Sequence, residues 1–397
     1  MVRRIIWCKP DWKTMLRKVL VLVVLIPLGE VLQAQKACSI RGKIGTDQNG
    51  MVFISVQNAD NSYTKDSVEV KKGVFYWEKV IAEPCYANLV LNPNQKGMTL
   101  QLDQQDLFLD PGVAAEVTSN GMLTGSAVKA GPSEQEYLIL MGQLKVIGDE
   151  GKKLDSLYQK YTLEEDEDNV KLVMDQGSKL AKKRKDVQQE FIKAHPESFV
   201  AFILWLRRVS PAVIDVSKVE PEFMQFSSKI KNSATGKALA GRIEIARSLM
   251  PGKPSIDFSL PDTAGVKVAL SSFRGKYVAL CFWYRNFSPF ESFSFALNRI
   301  YKQLASDSFH IVSVFYNGPG PEWTAILRDA NMNRWTNLID RDGIVNNRQM
   351  SAVAKAYDLT YGLIPQLYLL GPDGRIVLRD INMAIDPVGD IRKAINK

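Results

Sequence analysis

Two apolar runs, Tyr277–Trp283 and His310–Tyr316, constrain this chain more than any other feature. A strand with one wet face alternates apolar and polar residues. These runs do not, so each is expected to be a strand buried on both faces of a sheet. The stretch between them reads as a helix, and Trp323–Ala330 and Val353–Tyr357 read as further helical pieces. Gln366–Leu370, the turn Pro372-Asp373-Gly374 and Arg375–Leu378 read as a hairpin, and Pro387–Lys397 as a terminal helix. Strands and helices in alternation make residues 249–397 an α/β domain. Pro251-Gly252-Lys253-Pro254 breaks the chain at its start.

The 397 residues leave room for two or three domains. Residues 35–128 read as an antiparallel β-domain, a sandwich or barrel. Short runs at Cys38–Ile44, Met51–Val56, Ser67–Val70, Val74–Val80, Tyr86–Leu91, Met98–Leu102 and Ala115–Thr118 are separated by turn clusters such as Lys72-Gly73. Residues 129–248 read as an α-helical spacer. Ser133 and Glu136 have capping-box spacing, and Tyr137, Leu140, Leu144, Ile147, Leu154, Leu157 and Tyr161 follow on one helical face. A second helix runs from the acidic Glu164–Asp168 to the basic Lys182-Lys183-Arg184-Lys185. Acids at a helix start and bases at its end suit the macrodipole, so a solvated helix explains them better than a binding patch. Phe199–Arg208 is apolar enough to be a buried third helix.

Arg17-Lys18, an apolar stretch from Val19 to Leu28 and the small residue Ala34 describe a secretory signal peptide over residues 1–34. The stretch is too short to span a bilayer, which needs ~20 apolar residues. Its long lead raises Met15 as an alternative start to Met1. The expected location is therefore the periplasm or cell envelope, with no stable membrane insertion after cleavage. Half of the formal charge of +8 falls within residues 1–34; the remainder is a mixed surface that attracts no polyanion, so no nucleic-acid partner is expected.

The C-terminal region can be placed further. Asp257-Phe258-Ser259-Leu260, Leu270-Ser271-Ser272-Phe273-Arg274-Gly275-Lys276-Tyr277-Val278 and Phe282-Trp283 resemble the opening of the TlpA/ResA-like thioredoxin-fold proteins of the bacterial envelope, which are redoxins of the AhpC/TSA type. Trp335-Thr336-Asn337-Leu338, Ala356-Tyr357-Asp358-Leu359, Ile364-Pro365 and Gly371-Pro372-Asp373-Gly374-Arg375-Ile376-Val377 continue the resemblance. More loosely, the β-domain resembles the uncharacterised one that often precedes such domains. The resemblance implies a thioredoxin-like fold and thiol–disulfide exchange by a Trp-Cys-x-x-Cys turn after the Phe-Trp strand. A helix N-terminus there stabilises the thiolate that attacks a disulfide.

In this chain the two sulfur positions fall on Phe287 and Phe290, with Asn286 in place of the tryptophan and Phe293 and Phe295 further on; Pro289 is retained. A phenyl ring carries no electrons between thiols. The degenerate turn therefore implies no catalytic residue, no cofactor and a binding role. The resemblance sets Ile364-Pro365, with a cis bond, opposite the turn. Phe287, Ser288, Pro289, Ile364 and Pro365 then form a candidate platform for a peptide or envelope protein. Phe290, Phe293 and Leu297 follow helical steps and are expected in the core. The runner-up function is thiol–disulfide oxidoreductase activity in envelope redox homeostasis, with cysteines supplied in some other arrangement.

The remaining cysteines and histidines offer little. Cys281 lies inside the Tyr277–Trp283 run and reads as a small buried hydrophobe. Cys38 and Cys85 both lie in the β-domain. A structural disulfide between them is one reading, worth ~2–4 kcal/mol, and two free thiols the other. His195 and His310 lack metal-ligand partners at usable spacing, so no metal is expected. Gly236-Lys237 lacks the first glycine and the Ser/Thr of a phosphate loop.

Overall fold

The structure, a computed structural model, describes residues 37–46, 49–92, 103–210, 213–284, 290–316, 322–341, 343–345, 348–359 and 363–396. The expected signal peptide, the strand expected at Met98–Leu102 and the candidate residues Phe287, Ser288 and Pro289 lie outside the described residues.

Eight strands come first: β1 (Ala37–Ile44), β2 (Gly50–Gln57), β3 (Tyr63–Val70), β4 (Val74–Val80), β5 (Cys85–Asn92), β6 (Asp103–Leu109), β7 (Ala114–Ser119) and β8 (Ala127–Lys129). They form two sheets, ordered β4-β1-β7-β8 and β3-β2-β5-β6. Every second residue of β1 and β5 is buried, as alternation demands of strands with one face on a core. Ile40, Ile44, Phe75 and Val117 from one sheet meet Val52, Ile54, Leu89 and Leu107 from the other in a single cluster, so the domain is a sandwich. Pairing is antiparallel except between β1 and β7, which run parallel. The β3–β4 turn needs glycine at its tip. Gly73 has φ +74, and a Cβ there would lie 1.9 Å from the Gly45 carbonyl oxygen.

Six helices follow: α1 (Pro132–Leu163), α2 (Glu167–Ala194), α3 (Phe199–Val209), α4 (Val216–Met224), α5 (Ser228–Lys231) and α6 (Ala234–Ser248). The capping box expected at Ser133 and Glu136 is not formed. Gly131 occupies the N-cap with Pro132 first in the helix, and Ser133 Oγ instead donates to Asp110 Oδ1 at 2.7 Å. Asp110 Oδ2 also accepts the Ser133 N–H at 3.1 Å, so a carboxylate from the sandwich caps this helix from outside. Glu136 accepts from Ser198 Oγ, at the start of α3. Asp166 caps α2 by accepting from the Asn169 N–H, and Lys182–Lys185 are exposed, as a solvated helix requires. Phe202, Trp205, Phe223 and Phe226 stack into the centre of the helical region.

The C-terminal region contains β9 (Ser259–Pro261), β10 (Lys267–Ala269), β11 (Tyr277–Trp283), α7 (Phe290–Leu304), β12 (Phe309–Tyr316), α8 (Glu322–Asp329) and β13 (Thr336–Asp340). After these come β14 (Ile344–Val345), β15 (Arg348–Gln349), α9 (Ala352–Ala356), β16 (Gln366–Leu370), β17 (Ile376–Leu378) and α10 (Pro387–Ile395). The central sheet has the order β13-β12-β11-β16-β17; β11, β12 and β13 are parallel, and β16 and β17 antiparallel. Six of the seven residues of β11 are buried, as its unbroken apolar run requires.

The regions are tied together by side chains. Glu83 of the sandwich accepts the N–H groups of Ala234 (2.7 Å) and Thr235 (2.9 Å) at the start of α6. Arg242 of α6 holds Asp358 through Nε at 2.9 and 3.1 Å and also donates to Ser210 Oγ at 2.9 Å. Ser210 Oγ accepts in turn from Asn61 of the sandwich at 3.1 Å.

Candidate functional site

The candidate site is set where β11 runs out. In the pairing of β11 with β16, Phe282 lies opposite Gln366. Pro365 precedes Gln366 in the chain, so the Ile364–Pro365 segment follows on from the last pair of this register, at the end of β11 from which the chain continues toward α7. The Ile364–Pro365 peptide bond is cis. Ile364 is buried at 5 % exposure and Pro365 is half-buried.

Behind this strand end lies an aromatic layer. The Trp283 ring sits 4.7 Å from Phe315, 5.7 Å from Phe290 and 5.9 Å from Phe293, centroid to centroid. Phe290 and Phe293 are 6 % and 3 % exposed, so both fill the core, as their helical spacing predicts. Phe282, on the opposite face of the strand, meets Tyr357 at 4.8 Å, Tyr368 at 6.0 Å and Tyr316 at 6.1 Å. Three donors here have fixed partners. Trp283 Nε1–H donates to Ser313 Oγ at 3.3 Å, Ser313 Oγ–H to Asn337 Oδ1 at 2.5 Å, and Tyr368 O–H to Gln366 Oε1 at 2.8 Å. Burial pushes the Tyr368 phenol up to about 12 and the Tyr357 phenol higher still. Neither ionises near neutral pH.

Cys281, the one cysteine after residue 248, is fully buried within β11, and burial raises its thiol far above the range in which a thiolate forms. Among the described residues no group of three or more His, Cys, Asp or Glu side chains could hold a metal ion, and no helix is long and apolar enough to cross a membrane. His310 stacks on Phe273 and bonds Thr336, while His195 stacks on Phe191. Both serve packing.

Phe295 faces solvent. It is 66 % exposed on α7 and lines a shallow hollow with Asn298, Asn331 and Arg334. The helical steps that bury Phe290 and Phe293 turn Phe295 outward, so its position could be read from spacing alone. The other sequence candidates lie away from the strand end. Cys38 and Cys85 are free buried thiols in the sandwich and not a bridge, the Cys38 sulfur donating to the Lys79 carbonyl at 3.2 Å.

Residues 251–379 match the model of the AhpC/TSA family, over the sheet just described. The C-terminal region is thus similar to AhpC/TSA family domains. Residues 38–137, covering the sandwich and the start of α1, match a domain of unknown function, DUF4369. The fold of the AhpC/TSA domain is thioredoxin-like, preceded by β-sheets and a helical region, as the sequence resemblance implies. No curated protein matches the chain. Solved structures similar to it include the thioredoxin domain of a thiol-disulfide oxidoreductase from Bacteroides vulgatus. That likeness has 21% identity and a TM-score of 0.32, and covers 38% of this chain and 100% of the other. A thiol-disulfide oxidoreductase from Bacteroides fragilis is 25% identical, covering 36% of this chain and 99% of its own at a TM-score of 0.32. A thiol:disulfide interchange protein from Bacteroides sp. is 22% identical, covering 38% and 93% at 0.31.

Proposed function

We propose that this chain is an exported, redox-degenerate binding protein of the cell envelope, whose AhpC/TSA domain holds an extended peptide or partner protein without thiol chemistry. The observation that carries this reading is the register of β11 with β16. That register ends at Gln366, next in the chain to the Ile364–Pro365 segment that the resemblance assigns to the binding surface, and the single cysteine of the domain is buried inside β11, which supports the reading. A peptide laid along that segment gains main-chain hydrogen bonds by strand addition and buries apolar side chains against the platform. Phe287, Ser288 and Pro289 complete the platform on the sequence argument alone.

Two measurements test the proposal. Purified chain should give insulin reduction no faster than buffer. Turnover above background would replace the binding reading by thiol–disulfide oxidoreductase activity. Captured envelope peptides should bind saturably, and Phe287→Asp should weaken them at least tenfold with no change in melting temperature. Absence of any saturable ligand would leave a purely structural envelope component.

A further inference from the structure

The two thiols of the sandwich share one end of one core. Cys38 is the second residue of β1, fully buried, with its backbone opposite Lys79 near the end of β4. The chain then leaves that sheet through Ile81–Pro84 and enters the second sheet with Cys85, which begins β5 and is 7 % exposed. Both side chains point into the space between the sheets, within a single apolar cluster. Burial first, and the Cys38 thiol next, push the Cys85 thiol up to about 12. Access is one-sided. A cleft of about 180 Å³, lined by Lys79, Ile81, Glu83, Pro84 and Thr235, opens onto Cys85.

We propose that Cys38 and Cys85 are an oxidisable pair that closes to a disulfide between the two sheets of the sandwich, in exchange with a small external disulfide. The structure shows the reduced form. The Cys85 thiolate attacks the external disulfide through the cleft, forming a mixed disulfide and releasing one external thiolate. The Cys38 sulfur then gives up its bond to the Lys79 carbonyl, attacks the Cys85 sulfur as thiolate and displaces the second external thiolate. The two protons lost by the cysteines end on the two released thiols; the cysteines are oxidised by two electrons and the external disulfide is reduced. Because Cys85 is desolvated, the exchange is slow at neutral pH, and its rate rises about tenfold per pH unit below the thiol's own range.

The test treats the full chain with glutathione disulfide at pH 8, then alkylates, digests and maps it by mass spectrometry. Peptides carrying Cys38 and Cys85 should emerge joined, with Cys281 free once the chain is unfolded. Cys38→Ala should halt at glutathione on Cys85, and Cys85→Ala should take up none at Cys38. Free Cys38 and Cys85 in the treated wild type, or glutathione that remains on Cys85 there, would overturn the assignment. Should the variants fail to fold, the wild-type map alone decides. The outcome is independent of whether the AhpC/TSA domain binds peptides.

Discussion

Glu134 illustrates how one side chain can set a pH dependence. It is fully buried at the start of α1, with Oε2 accepting the Phe108 N–H at 2.6 Å. Burial, with Asp110 and Asp106 nearby, pushes its carboxyl from 4.5 up to about 7. Below pH 4.5 the group is protonated in both folded and unfolded chains and carries no penalty. As pH rises through 7 the unfolded chain has long since ionised, and stability that was fully present in acid is lost, by on the order of 1–3 kcal/mol. Urea midpoints should therefore fall between pH 5 and pH 8. Glu134→Gln, which keeps an acceptor for Phe108, should flatten the trend; an unchanged slope would acquit this residue. Phe287→Cys with Phe290→Cys should create a reducible pair, visible as a dithiol–disulfide cycle, if the alignment on Phe282-Trp283 holds. Loss of the Phe290 ring from Trp283 would cost ~2–4 kcal/mol. Spacing made the burial of Phe290 and Phe293 legible. Nothing in the sequence announced the burial of Glu134, because its partner Phe108 arrives from another element.

Strand β6 shows where pattern reading fails. Its first four residues, Asp103-Gln104-Gln105-Asp106, look like loop, yet they pair along β5. Each acid has a local use. Asp103 accepts the N–H groups of Leu123 (2.9 Å) and Thr124 (2.7 Å), while Asp106 accepts from Tyr86 O–H (2.6 Å) and Asn88 (2.8 Å). Hydrogen-bond satisfaction, supplied from distant residues, outweighs strand propensity there. The short β13 escaped for the same reason: its Asn337 donates to the Met332 and Trp335 carbonyls at 2.8 and 2.9 Å. By contrast β11 and β12 follow from unbroken apolar runs, and α1 from apolar residues at helical spacing. The turn that carries the chain from β3 in one sheet to β4 in the other supplies a prediction at this scale. Gly73→Ala combines a positive φ with a backbone clash, so it should cost about 2–4 kcal/mol and lower the melting temperature, read by circular dichroism. A variant as stable as wild type would mean that the turn relaxes freely.

The described residues from 37 onward behave as one compact unit, although two of its regions match different family models. The three-part order was legible because strand, helix and mixed patterns change near residues 129 and 249. The ties between parts were not, since Asn61, Ser210, Arg242 and Asp358 are separated by long stretches of chain. Asp358 is 2 % exposed and depends on Arg242, with Gln349 donating at 3.1 Å. Removing the guanidinium strands a buried carboxylate. Arg242→Ala should therefore cost about 3–5 kcal/mol and split a single thermal transition into two, measured by calorimetry. One unbroken transition would show that apolar contacts suffice.

The junction at Ser210 also bears on engineering. Grafting the catalytic half of a cysteine-bearing cousin onto this stem would orphan the Arg242 fork unless the donor carries a carboxylate matching Asp358. Chimera builders should import both members of the clasp together, or expect a hybrid whose modules drift apart.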